Sequence, residues 1–292
     1  MIFISGAAGH LGRAVIHHLL TTYKVPPGEI VAGTRNVDKL DDLKATGVAL
    51  RKADFDDEAG LVTSLHGISR FLIISTDAMI PGQRLKQHLN AVKAAESAGV
   101  KHVVYTSMPK PETSAVLFAP DHAGTEKAIA AAKIEGYTIL RDNWYFENLF
   151  HSIPMALKSG TQYSAAGQGK IAHIGRDDLA RAMAAVLSAN KGGKHTYTLS
   201  GGKAYTTDEI AALVSKATGK PLKVVHVPHD GLVQGMIGAG LPEGMAKTFA
   251  SFDVAIAQGN MEGTSADYKT LTGVEPQSFE DWVKANAAAL AG

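Results

Sequence analysis

Short apolar runs alternate with longer amphipathic ones along the first half of this chain. Residues 1–4 are apolar, and a helical pattern over 11–22 follows the turn between them. Further apolar runs at 29–33, 48–52, 70–76, 102–107 and 137–141 read as strands. Between them lie helical stretches at 36–45, after the acidic run 54–57, at 81–98 (closed by Gly99) and at 121–133. The run 70–76 carries almost no polar residue before its end, as expected of a strand covered on both faces. Repeated strand–helix alternation predicts an α/β fold with a doubly wound parallel sheet, the Rossmann arrangement.

The rhythm changes after 141. Arg141-Asp142-Asn143-Trp144-Tyr145-Phe146-Glu147-Asn148 is rich in aromatic and amide side chains directly behind a strand. Short strands near 161–163 and 170–174, a helix over 177–188 and a strand at 195–199 follow. Thr206-Thr207-Asp208-Glu209 then opens a helix to 218, with a strand at 222–227 and helices near 242–258 and 278–290. We therefore expect a Rossmann domain at 1–150, completed by 170–200. A smaller carboxyl-terminal α/β lobe on the substrate side takes 151–169 and 201–292. No solenoid-period repeat is visible.

Composition narrows the function. Of 292 residues, 45% are hydrophobic and 20% charged, the profile of a globular protein. Lys plus Arg number 29 against 28 acids, so no basic field invites nucleic acid or anionic lipid. Cysteine is absent, which excludes disulfides and thiolate chemistry and fits a reducing cytosol. With no basic leader and no apolar run near the ~18 residues of a membrane span, a cytoplasmic protein is expected. No metal is expected either. His17 and His18 are adjacent and face apart on a helix, and His226 and His229 straddle a proline without a carboxylate partner.

Candidate cofactor chemistry begins at Gly6-Ala7-Ala8-Gly9-His10-Leu11-Gly12, a G-x-x-G-x-x-G turn between strand and helix. Gly6 suits the sharp turn, Gly9 admits a pyrophosphate close to the backbone, and Gly12 lets helix and strand pack. The helix start supplies unpaired N–H groups for phosphate. Behind the second strand stands Arg35 where an NAD site would place an acid. It is either the partner of a 2′-phosphate or an ordinary surface arginine. In Ala53-Asp54-Phe55, Asp54 accepts from an adenine amine while Phe55 covers the ring, or the acidic run simply caps a helix. Ser75, Thr76, Thr106 and Ser107 close two strands at their carboxyl ends, where ligands of such sheets bind.

Together, Gly6-x-x-Gly9-x-x-Gly12, Thr34-Arg35-Asn36, Ala53-Asp54-Phe55, Tyr105-Thr106-Ser107 and Arg141-x-Asn143-Trp144-Tyr145-x-Glu147-Asn148 resemble the NmrA-like branch of atypical short-chain dehydrogenases. The likeness runs through Gly167-x-Gly169-Lys170 to the carboxyl-terminal helices. It implies NADP(H) bound by Gly6 to Gly12, by Arg35 and by the 143–148 segment including Asn143, Trp144 and Tyr145. It also implies a catalytic part for Asn148. Typical short-chain dehydrogenases use a Tyr-x-x-x-Lys pair to move a proton. None of the eight tyrosines here has a lysine four residues on. That favours an acceptor needing little acid help, a quinone or similar conjugated small aromatic electrophile.

Other candidates for the chemistry are Tyr145, beside Asn148, and His122, which is either a proton donor or a solvated residue on a first helical turn. Trp144, Tyr145 and Phe146 are expected to build an apolar slot for the acceptor ring. Two classes of function follow. One is an NADPH-dependent reductase. The other is a non-enzymatic dinucleotide sensor acting through a protein partner.

Overall fold

The computed structural model describes residues 1–80, 82–189 and 191–292; Pro81, the expected first residue of a helix, lies outside them. In chain order the first six strands are β1 (Ile2–Ile4), β2 (Ile30–Thr34), β3 (Ala49–Lys52), β4 (Arg70–Ile73), β5 (His102–Ser107) and β6 (Gly136–Asp142). Shorter strands β7 (Thr161–Ser164) and β8 (Lys170–Ile171) precede β9 (Lys194–Leu199), and β10 (Tyr205–Thr206) and β11 (Lys223–His226) follow. The helices that matter here are α1 (His10–Thr21), α2 (Asp41–Lys44), α3 (Glu58–Ser64), α4 (Gln83–Ser97), α5 (Ala119–Ala131) and α6 (Ile153–Ser159). Later ones are α7 (Arg176–Ser188), α8 (Thr207–Thr218), α9 (His229–Gly238) and α10 (Glu243–Ala257).

Seven strands form one sheet in the order β3-β2-β1-β4-β5-β6-β9, and neighbours from β3 to β6 are parallel. Tyr137 N donates to Gly193 O and Asn143 N to Leu199 O, so β9 runs the same way beside β6. The order reverses between β1 and β4, the switch point at which such sheets open a ligand crevice. β1, β2 and β5 are buried along their whole length because helices cover the sheet. The expected doubly wound α/β fold is present.

The chain divides into two compact units. The first comprises Met1–Met108, Pro120–Arg141 and Asp177–Tyr197. Its core packs Phe3 edge-on to Phe71 at 5.5 Å and Phe55 to Phe71 at 6.3 Å, among Leu61, Val103 and Ile129. The second comprises Pro109–Ala119, Asp142–Arg176 and Thr198–Gly292. There β7 pairs in parallel with β11, and β8 antiparallel with β10. Phe146 packs 5.3 Å from both Phe279 and Trp282. The capping box expected at Thr206 and Glu209 opens α8.

The division differs from the expected boundaries, and hydrogen bonds explain why. Lys110 Nζ reaches Gly259 O, Ala115 N reaches Asn260 Oδ1 and Leu117 N reaches Ser251 Oγ, so 109–119 belongs with the second unit. The stretch 36–45, expected as one helix, is a 3₁₀ turn (Val37–Leu40) followed by the single turn α2. Asn36 caps Asp38 N and turns the chain early. The helices α6 and α9 were not anticipated. Pro154 in the first, and Gly231 and Gly235 in the second, obscure them in the sequence.

Candidate functional site

The carboxyl ends of β1, β2, β3 and β4 surround a cavity of about 500 Å³ in the first unit. Ser5, Gly6, Ala8 and Gly9 form its floor, Thr34 to Asn36 and Lys39 one side, Ala53 to Phe55 another, and Ile74 to Ala78 with Gln83 and Gln87 the remainder. The glycine turn builds this floor by backbone geometry. Gly6 sits at φ +61°, a conformation that side chains with a Cβ rarely adopt. A Cβ on Gly12 would lie 2.5 Å from Gly6 O, so that glycine packs α1 against the turn and does not line the cavity. Helix α1 starts at Gly9 with no side-chain cap and no acid in its first turn. Its leading N–H groups are thereby left for an anion.

Behind β4 the chain leaves the sheet, and three successive N–H groups find side-chain acceptors. Ile74 N donates to Ser5 Oγ at 2.9 Å, Ser75 N to Thr106 Oγ1 at 2.8 Å and Thr76 N to His88 Nε2 at 3.0 Å. Thr106, expected as a cofactor contact, is thus a support one bond behind the wall. Ser107 is also turned to the protein: it donates to Glu126 Oε1 at 2.6 Å, and Arg141 grips the same carboxylate at 3.0 and 2.6 Å. Neither residue lines the cavity. Ala7, His10 and Leu11 of the glycine segment do not line it either.

Arg35 is exposed on the lining, and Lys39, which sequence reasoning passed over, lies on the same side. Two cations there complement a phosphate dianion. Lys39 lies four residues beyond Arg35, on the stretch 36–45 expected to be helical. Of the two roles left open for the acidic run, helix capping is the one made within the chain. Asp57 Oδ1 caps α3 through Gly60 N, while Asp54 lines the cavity and accepts from Asp56 N.

The cavity fits a dinucleotide phosphate. Its volume lies within the usual range for cofactor sites. Two side-chain oxygens of lining residues, Thr76 Oγ1 and Gln87 Oε1, are buried without a hydrogen-bond partner. Buried polar groups are nearly always paired, so two orphans on one wall mark where a ligand completes the bonding.

His122 is neither solvated nor charged, against both expectations for it. It is 4% exposed, and its Nδ1 lies 2.8 Å from Tyr105 Oη. Burial first, then the charges of His88 and Arg84, hold its pKa well below the ordinary imidazole value. His88 is held down to about 3, by burial and then by Arg84. Its Nε2 accepts from Thr76 N, so Nδ1 carries the hydrogen and faces Thr125 Oγ1 at 2.9 Å. Burial thus keeps both imidazoles of the cluster neutral.

In the second unit, the 142–148 segment separates into distinct roles. Asn143 is 1% exposed: Nδ2 donates to Met261 O at 2.9 Å, and Oδ1 accepts from Trp144 N at 2.8 Å. Expected to bind cofactor, it is fully occupied as a strut. Glu147 accepts from Arg176 N at the start of α7. The three aromatic residues do not share a slot. Trp144 stacks with Phe118 at 6.5 Å and meets Phe252 at 4.3 Å, Tyr145 lies under Arg176 at 5.8 Å, and Phe146 enters the core. Tyr145 is the last extended residue and a 3₁₀ helix starts at Phe146, so the three successive rings point in different directions.

Two polar side chains in the segment retain freedom. Tyr145 is half-buried, and burial, then the neighbouring Asp142, raise its phenol pKa, so it keeps its proton. Asn148 is half-buried, and its side-chain amide makes no hydrogen bond among the described residues. Asp142 itself is 5% exposed with both carboxyl oxygens unpaired, and burial lifts its pKa well above the carboxylate range. Among the described residues, no group of three or more His, Asp or Glu could hold a metal, and no helix is long and apolar enough to cross a membrane.

The fold, the glycine floor and the 142–148 segment define a short-chain-dehydrogenase-like dinucleotide protein, and the chain belongs to the NmrA-like family, whose profile matches residues 1–283. Its sequence is 41% identical over 273 residues to quinone oxidoreductase 2 of Escherichia coli (strain K12), spanning 93% of this chain and 92% of that protein. It is 25% identical over 291 residues to the NAD(P)H azoreductase of Xenophilus azovorans, covering 99% of each. The NADPH complex of the E. coli NADPH-dependent quinone oxidoreductase is similar with a TM-score of 0.92 at 38% identity, over 98% of this chain and 99% of that one. Triphenylmethane reductase of Citrobacter sp., complexed with NADP(H), gives 0.90 at 34% identity, over 98% and 100%. The family resemblance read from the motifs is borne out.

Proposed function

We propose that this protein is an NADPH-dependent reductase of quinones or similar conjugated electrophiles. The observation that carries the reading is the cavity at the switch point, with Arg35 and Lys39 on one side of an uncapped glycine-turn helix. It has the charge and the open N–H groups that a dinucleotide 2′-phosphate and pyrophosphate require. Similarity to a quinone oxidoreductase at 41% identity supports the same assignment.

When bound, NADPH supplies the hydride. The residues of this chain bind and orient. Gly6, Ala8 and Gly9 give the diphosphate its floor, Arg35 and Lys39 hold the 2′-phosphate, and Thr76 pairs its free hydroxyl with the cofactor. In the second unit Asn148 and Tyr145 are the polar side chains left for the acceptor. Tyr145, a phenol that stays protonated, can donate to a carbonyl oxygen of the acceptor. Asn148 can orient that oxygen through its amide. Trp144, Phe118 and Phe252 form a half-buried aromatic group suited to a flat ring. His122 is given no part in proton transfer. A cysteine-free chain with no membrane-spanning helix among its described residues is suited to the cytoplasm.

The test is direct. Purified protein with NADPH should reduce a benzoquinone or naphthoquinone without any partner protein. Asn148→Ala should lower kcat by about ten-fold and leave NADPH affinity unchanged. Tight NADPH binding with no acceptor reduced across a broad quinone and dye panel would overturn the reading in favour of a dinucleotide sensor.

A further inference from the structure

The wall of the cavity formed by α4 carries a side chain with one unused and well-defined end. Gln87 is 6% exposed and lines the cavity. Its Nε2 donates to Asp56 Oδ2 at 2.8 Å. A carboxylate can only accept, so this bond fixes which end of the amide faces Asp56. What remains is Oε1, buried and without a hydrogen-bond partner. A carbonyl oxygen can only accept, so the missing partner must be a donor.

The surroundings say what kind of donor. Phe55 lines the same cavity beside Asp54. Its backbone is held from α4 as well, since Asn90 Nδ2 donates to Phe55 O at 2.9 Å. Gln87 and Asn90 are one helical turn apart, and together they brace the 55–56 stretch as a firm wall against α4. A phenyl face offers a planar ring something to lie against. On adenine the exocyclic amine is an N–H donor without an acceptor role, which suits an acceptor-only partner. A phosphate offers no donor at all.

We propose that Gln87 reads the exocyclic amino group of the cofactor's adenine through Oε1, with Asp56 as the residue that orients the amide. The proposal rests on the NADPH reading above. It makes α4 the base-recognition element of the site, while Arg35 and Lys39 read the 2′-phosphate.

The analogue of NADPH whose base is unsubstituted purine replaces that amine with hydrogen and leaves the rest of the molecule unchanged. Titrating the full-length protein with NADPH and with this analogue, by nicotinamide fluorescence, should show about ten-fold tighter binding of NADPH. In Gln87→Met, of similar size but without the acceptor, NADPH should weaken by about ten-fold and the analogue should hardly change, bringing the ratio near one. Preference for NADPH over NADH should persist in the variant.

A wild-type protein that binds both dinucleotides equally overturns the proposal, and that result needs no variant to fold. So does a folded Gln87→Met that keeps the wild-type ratio. Failure of the reductase reading looks different: NADPH is preferred over its analogue, yet no quinone is reduced. Absence of any NADPH binding overturns both.

Discussion

The glycine floor of the first unit and the 142–148 segment of the second both lie behind strand ends, yet they are built on opposite principles. In the floor, function is written in the backbone: a left-handed Gly6, an uncapped α1 and successive N–H groups behind β4 held by Ser5, Thr106 and His88. In the 142–148 segment, function depends on which side chains the packing leaves over. Asn143 and Glu147 are consumed by the framework, and Asn148 and Tyr145 are not. A backbone-built site therefore tolerates little change at its glycines, while a site of leftover side chains separates activity from stability residue by residue.

The largest effect expected from that contrast is at the glycines. Gly9→Val should abolish measurable NADPH binding with a normal circular dichroism spectrum. An ideal Cβ there meets only Gly6 O, at 3.3 Å, and the added bulk faces the cavity. Gly12→Val should instead lose the fold, because its Cβ would lie within 2.9 Å of three backbone atoms of Gly6 and Ala7. Retained binding in Gly9→Val would break the backbone account of the floor.

Next comes the charged side of the cavity. Arg35→Ala should weaken NADPH by about 1.5–3 kcal/mol and barely affect NADH. Lys39→Ala should act in the same direction with a smaller loss, since its ammonium is a point charge without a second parallel hydrogen bond. Equal losses for both dinucleotides, measured by fluorescence titration, would remove these cations from 2′-phosphate recognition.

A sharper probe is the pair of asparagines. Asn143→Ala opens two buried hydrogen bonds, to Met261 O and from Trp144 N, and should lower the unfolding midpoint by several degrees. Asn148→Ala should leave that midpoint within about a degree and lower turnover by about ten-fold. If both variants lose stability and activity together, the segment is a single framework and the distinction drawn here fails.

The same contrast explains what the sequence disclosed. Strand and helix order, the glycine turn, Arg35 and the family were legible because each depends on neighbours within a few residues. The roles of Thr106, Ser107 and His122 were not. Their partners, Ser75, Glu126 and Tyr105, sit on other elements, and only the fold decides that a hydroxyl faces a neighbouring strand end and not a ligand. The aromatic run 144–146 misled for a related reason: the chain passes from extended backbone at Tyr145 into a 3₁₀ helix at Phe146, and adjacent rings are carried to different surroundings. Gln87 gave no sign at all, because an amide on a helix is ordinary until its orphaned oxygen is seen.

The smallest effect expected is in the pH dependence of stability, where the buried histidines and the buried Asp142 contribute with opposite sign. Burial holds His88 down to about 3, His173 down to about 4, and lowers His102 and His122 as well. The unfolded chain protonates these rings near their ordinary pKa of about 6.5, so it binds more protons than the native state below that point. Native stability from this source is complete above about pH 6.5 and is lost as the pH falls toward the folded values. Asp142 works the other way. Its folded pKa lies well above the carboxylate range, so the native state holds a proton that the unfolded chain releases above about pH 4. Its contribution is complete below that value and is lost as the pH rises through the folded pKa. Asp142→Asn keeps the shape and removes the titration. The variant's urea midpoint should therefore fall more steeply than the wild type's on acidification from the folded pKa of Asp142 down to about pH 4. A midpoint curve parallel to the wild type's across the whole range would mean that Asp142 is paired in solution, and the separation of the 142–148 segment into used and unused polar groups would need redrawing.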